Sequence, residues 1–260
     1  MRYYWILFQN EMRKIYCTAI RYKFNTLFSA LFWAALMIFL SYHLAEGGRP
    51  SKIIYTFVSS FMIWQIVNFT FISVVDSIIS ESVQGTLEQL YINSRSFYGI
   101  LFIKGFSAAL LSIIQSLISI LLTIALVPQL DIHFLLYWVH SLPLLIIGLP
   151  ALIGLGIACA SLALKHKNIS SFYSMVSSIF FAVITYNAKG LAGNVTFSLL
   201  LPFGEVNSSI QYVFSTLNSF IPIFTYIYAF INSIIYIIIG YVFLRYYEKA
   251  SKKEGLFSKF

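Results

Sequence analysis

Long apolar runs separated by short polar links are the feature that most limits what this chain can fold into. Six such runs occupy most of the 260 residues, and only 10% of the residues are charged, against about 25% in a soluble domain. A helix of about 20 apolar residues crosses the ~30 Å hydrocarbon core of a bilayer. The sequence therefore predicts an all-α integral membrane protein with six transmembrane helices, at about residues 24–44, 53–79, 100–127, 135–164, 169–189 and 223–246.

The segment before the first run, residues 1–23, predicts an amphipathic helix and not a signal peptide, because charges interrupt its apolar residues. Lys14 and Arg21 lie on a polar stripe, and aromatic and aliphatic residues form the opposite stripe. This pattern is typical of a helix that lies flat at a bilayer surface. A cytosolic packing helix is the alternative. We expect residues 24–260 to form one transmembrane domain.

Residues 190–221 do not have the pattern of a membrane span. Glycine and proline divide them into two apolar pieces, each too short to cross a bilayer. We expect these pieces to form re-entrant or surface helices on the outer side of the membrane, between the fifth and sixth spans.

The polar segment 81–98, between the second and third runs, carries the clearest signals for a function. Gly85 can end a helix, and Thr86 followed by Gln89 has the spacing of a capping box, so a short helix should begin at Thr86. A short helix across the water interface offers a contact surface to a partner outside the membrane. The predicted contact residues are Glu81, Gly85, Thr86, Leu87, Glu88, Gln89, Leu90 and Arg95.

The positions of the basic residues predict the orientation in the membrane. Of the 17 Lys and Arg residues, all but Arg49, Lys52 and Lys189 lie in the amino-terminal segment, in or beside segment 81–98, in the 165–168 link or near the carboxyl end. Positive charge marks the cytoplasmic side. We therefore expect both termini and segment 81–98 to be cytoplasmic, in the cytoplasmic membrane of a prokaryote, with the net charge of +8 contacting anionic lipid.

Several classes of function lack their sequence signals. The chain has no phosphate-binding loop, no zinc-ligand spacing among its four His and two Cys residues, and no paired carboxylates at one membrane depth. We predict that the chain is not an enzyme and binds no metal or cofactor itself. Nucleic acid is also an improbable partner, because the basic residues are divided among segments that flank the membrane.

Polar residues inside the predicted spans are costly and therefore informative. Gln65, Asn68 and Asp76 share one side of the second span, although Asp76 is near its cytoplasmic end and is also explained as a hydrated interface residue; Ser174, Ser177 and Ser178 belong to a serine stripe on the fifth span. The stripe allows two interpretations, which are a mildly polar lining of a translocation path and close helix packing through small residues.

The string Glu81-x-x-x-Gly85-Thr86-Leu87-Glu88-x-Leu90, with Lys104 at the start of the next span, resembles the signature segment of type 2 ABC exporter permeases. These proteins are the transmembrane partners of ATP-binding-cassette ATPases, and the plan of the family covers essentially this whole chain. The string favours the branch that exports drugs, lipids or peptides. The chain departs from the family at residues 93–96, where a proline is common, which affects how the short helix ends.

The resemblance implies specific roles. Segment 81–98 would be the coupling helix that docks on the ATPase, and the second and fifth spans would line the path. Two ATPase subunits, which bind ATP and magnesium, would drive a dimer formed with a second permease copy or a paralogue. The expected substrate is hydrophobic or amphipathic. The alternative is a secondary transporter that works without an ATPase.

Overall fold

The computed structural model describes residues 2–46, 51–84, 86–93, 95–128, 130–164, 170–185 and 201–253. All regular structure in these ranges is helical, so the expected all-helical fold is confirmed for them. In chain order the helices are α1 (Arg2–Arg21), α2 (Lys23–Glu46), α3 (Ser51–Val83), α4 (Leu87–Asn93), α5 (Phe97–Leu126), α6 (Ile132–Ser161), α7 (Ser170–Thr185), α8 (Gly204–Thr216) and α9 (Ile223–Lys253), and a 3₁₀ turn (Leu162–Leu164) follows α6.

Five of these helices, α2, α3, α5, α6 and α9, are long and apolar enough to cross a membrane. Helix α7 occupies the position of the predicted fifth span, but its 16 residues measure only about 24 Å. The rest of that predicted span, residue 169 and residues 186–189, lies outside the described residues. The five helices support a membrane-embedded protein, and the six-span layout stays a prediction.

Side-chain caps determine where two of the long helices begin. The Ser96 hydroxyl accepts a hydrogen bond from the Gly99 amide at 3.2 Å and starts α5. The Asp131 carboxylate accepts from the amides of His133 and Phe134 and starts α6. Both helices therefore begin three residues earlier than hydropathy alone indicated, because polar capping residues extend an apolar helix into water.

The centre of the molecule is built from α3, α5, α6 and α9. Gly105 of α5 lies against Val74 of α3, and a Cβ atom at Gly105 would be only 2.5 Å from the Val74 side chain. Gly154 of α6 and Gly240 of α9 bring two backbones together, since a Cβ atom at Gly154 would lie 2.3 Å from the Tyr236 carbonyl oxygen. Small residues of this kind allow close helix packing in membranes.

Helix α8 runs inside the bundle alongside α6. It begins next to Gly148, where an added Cβ atom would lie 2.7 Å from Val206, and Gly148 is about 24 Å along α6 from its start. It ends near the beginning of α6, where the Tyr137 hydroxyl donates to the Leu217 carbonyl oxygen at 2.9 Å. This path favours the re-entrant alternative for residues 204–216. The other predicted piece, residues 195–201, lies almost wholly outside the described residues.

Candidate functional site

Helix α4 is seated on the bundle by one apolar face. Leu87 is only 1% exposed and packs in one cluster with Phe97 and Leu101, and Leu90 and Tyr91 border that cluster. Burial of Leu87 contributes about 2 kcal/mol. Leu87, which the sequence placed among the partner contacts, is therefore buried against the bundle and unavailable to a partner.

The outward side of α4 carries a residue that sequence reasoning missed. Ile92 is 70% exposed, and Gln89 is exposed on the same short helix. The Glu88 side chain and Gly85, both predicted contact residues, lie outside the described residues. An exposed isoleucine beside a polar residue is suited to docking a protein surface, because burial of its side chain on contact is favourable.

A hydrogen-bonded ion pair ties α4 to the ends of α3 and α5. The Lys104 ammonium lies 3.2 Å from Oε1 of Glu81, and the Thr86 hydroxyl donates to Oε2 of Glu81 at 2.6 Å. The Thr86 amide also donates to the Glu81 carbonyl oxygen at 3.0 Å. We call Glu81, Thr86 and Lys104 the brace. It fixes where α4 begins relative to two long helices.

The brace corrects two expectations. Glu81 was expected to stand in water and face a partner, but its side chain is only 22% exposed and both carboxylate oxygens are engaged within the chain. The Thr86 hydroxyl was expected to cap the new helix by accepting a hydrogen bond from a backbone amide. It instead donates a hydrogen bond to the Glu81 carboxylate. At a helix junction that is partly shielded from water, an unpaired charge is costly, so Glu81 and Lys104 pair with each other within the chain.

After α4 the chain passes beside the carboxyl-terminal part of α9. Arg95 is exposed and lines a small cavity of about 200 Å³ with Arg245 and Glu248. Arg245 donates to the Glu248 carboxylate at 3.3 Å. The segment predicted to dock on an ATPase is therefore in contact with both α3 and α9.

Helix α1 packs on α5 through its aromatic stripe. The Tyr4 ring lies against Gly99, and the rings of Phe8 and Phe106 are 6.2 Å apart. Lys14 and Arg21 are both exposed, as expected for the polar stripe of an interfacial helix.

Helices α3 and α7 meet along a polar seam. The Ser177 hydroxyl donates to the Asn68 side-chain oxygen, which joins two of the predicted path residues. Gln65 is not part of this seam, because it is 2% exposed and buried within the bundle. Ser174 and Ser178 are exposed, and the Ser178 hydroxyl donates to the Ser174 carbonyl oxygen. The predicted path residues are thus only partly brought together.

The serine stripe also meets Asp76, which the sequence left undecided. Asp76, Ser174 and Ser177 line one cavity of about 290 Å³ together with Tyr173. A carboxylate on a membrane helix is costly unless it has a role or a partner. The outcome favours Asp76 over Gln65 as the polar group of α3 that faces α7.

Known proteins give no further assignment of these groups. Neither the comparison with protein-family models nor the comparison with curated proteins gives a match. Among the described residues, no three His, Cys, Asp or Glu side chains are grouped so that they could hold a metal ion.

Proposed function

We propose that this chain is the membrane-spanning subunit of an ABC exporter. It forms a translocation path as a dimer, with a second copy or a paralogue, and separate ATPase subunits drive it. The observation that carries the proposal is the brace, because it joins a short partner-facing helix rigidly to two long membrane helices. The substrate is hydrophobic or amphipathic.

The seating of α4 supports a coupling role on mechanical grounds. A force on the outward face of α4 passes to α3 and α5 through the buried Leu87 and through the Glu81–Lys104 pair. Packed interiors transmit displacement because they are dense and deform little. Closure of an ATPase against α4 can therefore tilt membrane helices as rigid bodies, which is a common form of switching transition.

The polar groups between α3 and α7 support a path on that side. Asn68, Asp76, Ser174 and Ser177 contact each other or share one cavity. Polar side chains on membrane helices usually face protein or water-filled space. In a dimer, the same groups of a second copy would extend this lining.

The decisive test is whether α4 recruits an ATPase. The chain is co-expressed with candidate ATP-binding-cassette ATPases from the same genome and purified by a tag on the chain alone. We expect the ATPase to co-purify with wild type, and Ile92→Asp to reduce co-purification at least tenfold, because a charge replaces an apolar contact at the docking surface.

Ile92→Leu is the matched control, and it should retain the ATPase because the apolar contact is conserved. Thermal unfolding of the isolated chain should be unchanged in both variants, since Ile92 is mostly exposed. Recovery of the ATPase with Ile92→Asp at the wild-type level would remove α4 from the docking surface. Transport without any ATPase, driven by an ion gradient, would favour the secondary transporter instead.

A further inference from the structure

A polar groove opens between α1, α2, α3 and α5 at the inner end of the bundle. Its volume is about 580 Å³, within the range of sites that hold drug-sized molecules. It extends from the level of Glu81 and Lys104 to the level of Phe69 and Gln115. Gln115 is eleven residues beyond Lys104, so the groove reaches about 16 Å along α5, roughly halfway across a bilayer core.

The wall formed by α3 is unusually polar for a membrane helix. Ser73, Asp76, Ser77 and Ser80 all line the groove, with the i, i+3, i+4, i+7 spacing of one helix face. Asp76 lies one and a half turns before Glu81, about 7.5 Å deeper along the helix. Four polar residues on one face of a membrane-spanning helix cost free energy unless a polar group or water contacts them.

The charges around the groove leave one carboxylate uncompensated. Five charged side chains line it, namely Glu11, Lys14, Asp76, Glu81 and Lys104. Lys104 forms an ion pair with Glu81, and Lys14 also acts on Glu81, so three carboxylates share two ammonium groups. Asp76 is exposed to the groove, and in the described part of the chain no hydrogen bond or ion pair engages its carboxylate.

The other walls are mixed: α2 contributes only the polar residues Asn25, Thr26 and Ser29, whereas the remaining walls also carry apolar residues. Phe69 of α3 and Ala108 and Leu111 of α5 line the groove beyond Asp76, and Ile15 and Ala19 of α1 line the side near the membrane surface. A cation at Asp76 would therefore have apolar side chains on either side of it. The groove is much larger than a bare metal ion needs, and the other carboxylate that α3 contributes to it, Glu81, is already paired with Lys104.

We propose that the groove binds organic cations with an apolar body, and that Asp76 pairs with the charged nitrogen or phosphorus. Such a ligand enters from the inner leaflet past α1, which forms one wall. Because Asp76 also borders the 290 Å³ cavity with Ser174 and Ser177, the bound cation lies next to the α3–α7 seam. As the substrate class of the export proposed above, this inference rests on that function, but binding itself needs no ATPase.

Binding is measured on the purified chain alone in dodecyl maltoside, by equilibrium dialysis of radiolabelled tetraphenylphosphonium. Asp76→Asn should weaken binding about tenfold or more, because it removes the opposite charge and keeps the shape. Ser80→Lys should do the same, because an ammonium one turn away then occupies Asp76. Glu46→Gln, at the exposed end of α2, is the matched control and should bind as wild type does.

Tetraphenylborate has the same shape and the opposite charge, and it should not displace the probe. Added phosphatidylethanolamine distinguishes two sources of the cation. Displacement by it, but not by phosphatidylglycerol, identifies a lipid amine as the natural ligand, and no displacement by either identifies a free amphiphile. Wild-type affinity in Asp76→Asn or Ser80→Lys, or equal competition by tetraphenylborate, would overturn the proposal.

The two proposals fail separately. If the cation does not bind as expected but α4 still recruits an ATPase, the cation site is refuted and the exporter proposal stands. Cation binding without any recruited ATPase leaves the groove and removes the exporter.

Discussion

Replacing Lys104 by Met should loosen α4 from the ends of α3 and α5. At the observed 3.2 Å, the Coulomb attraction between Lys104 and Glu81 is about 5 kcal/mol for an effective dielectric constant of about 20. Most of this is offset by the desolvation of both groups, whose side chains are 13% and 22% exposed. The variant also leaves Glu81 with the Thr86 hydroxyl as its hydrogen-bond partner and with Lys14 as its nearby positive charge. We expect a loss of about 2 kcal/mol, between the values for exposed and fully buried pairs.

The assay is thermal unfolding of the purified chain in one detergent. A loss of about 2 kcal/mol corresponds to a fall in Tm of roughly 4–8 °C for a chain near this size. Glu81→Gln should give a similar fall, and the double variant should lose about 1–2 kcal/mol less than the sum of the single losses, because the pair is broken only once. Lys249→Met, an exposed lysine of α9, is the matched control and should leave Tm unchanged.

Two results would refute the reasoning about the brace. One is a Tm of Lys104→Met equal to that of wild type. The other is strict additivity of the two single variants, which would mean that Glu81 and Lys104 stabilise the chain independently. Under the proposed function, Lys104→Met should also lower the ATPase stimulation by substrate more than it lowers ATPase binding, because α4 stays exposed but transmits less.

Two further predictions concern helix packing and pH. Gly154→Ala should destabilise the chain by about 1–3 kcal/mol, since its Cβ atom would lie 2.3 Å from the Tyr236 backbone. Gly156→Ala should destabilise it less, because the nearest atom to its Cβ would be a side-chain atom at 3.2 Å. Thermal unfolding compares the two variants, and equal losses would contradict the close α6–α9 crossing. The pKa of Asp131 is held below its ordinary value, chiefly because the Tyr55 hydroxyl donates a hydrogen bond to its carboxylate at 2.5 Å. This carboxylate therefore stabilises the fold above about pH 4, and the contribution is lost as pH falls through the lowered pKa. Asp131→Asn should lower Tm relative to wild type at pH 7 and by a shrinking amount below pH 4, and a constant difference down to pH 3 would exclude the Asp131 carboxylate as its source.

Helix α4 could be predicted because its signals are local. Gly85, Thr86 and the apolar spacing of Leu87 and Leu90 all lie within six residues, and α4 begins directly after Thr86. The partner of Glu81 could not be predicted in the same way, because Lys104 is 23 residues away. Which lysine meets Glu81 depends on how α3 and α5 lie side by side, and that register comes from packing at Gly105 and Val74.

The polar face of α3 shows a different limit of sequence reasoning. One arc of a helical wheel contains Gln65, Asn68 and Asp76. This arc extends from the side of α3 that is packed in the bundle to the side that faces the cavities. The structure buries Gln65, pairs Asn68 with Ser177 and exposes Asp76. The i, i+3, i+4, i+7 spacing from Ser73 to Ser80 was a signal in the sequence that identifies the open side.

Helix α3 is packed tightly on one side and loosely on the other, and this asymmetry bears on how it can move. On the tight side, Val74 fills the space beside Gly105 and Gly156, with 2.5 Å and 3.2 Å to the positions that Cβ atoms would take. On the loose side lie the cavities of about 580 and 290 Å³. Sliding α3 against α5 and α6 would create clashes or voids that cost several kcal/mol. Motion of the Asp76 end of α3 towards α1 or α7 meets these cavities, whereas nearer the middle of α3 the rings of Trp33 and Phe180 pack against Phe69 and Phe71. A displacement passed on by α4 is therefore taken up on the cavity side, where Asp76 lies, and this places the proposed cation site where the proposed coupling motion is largest.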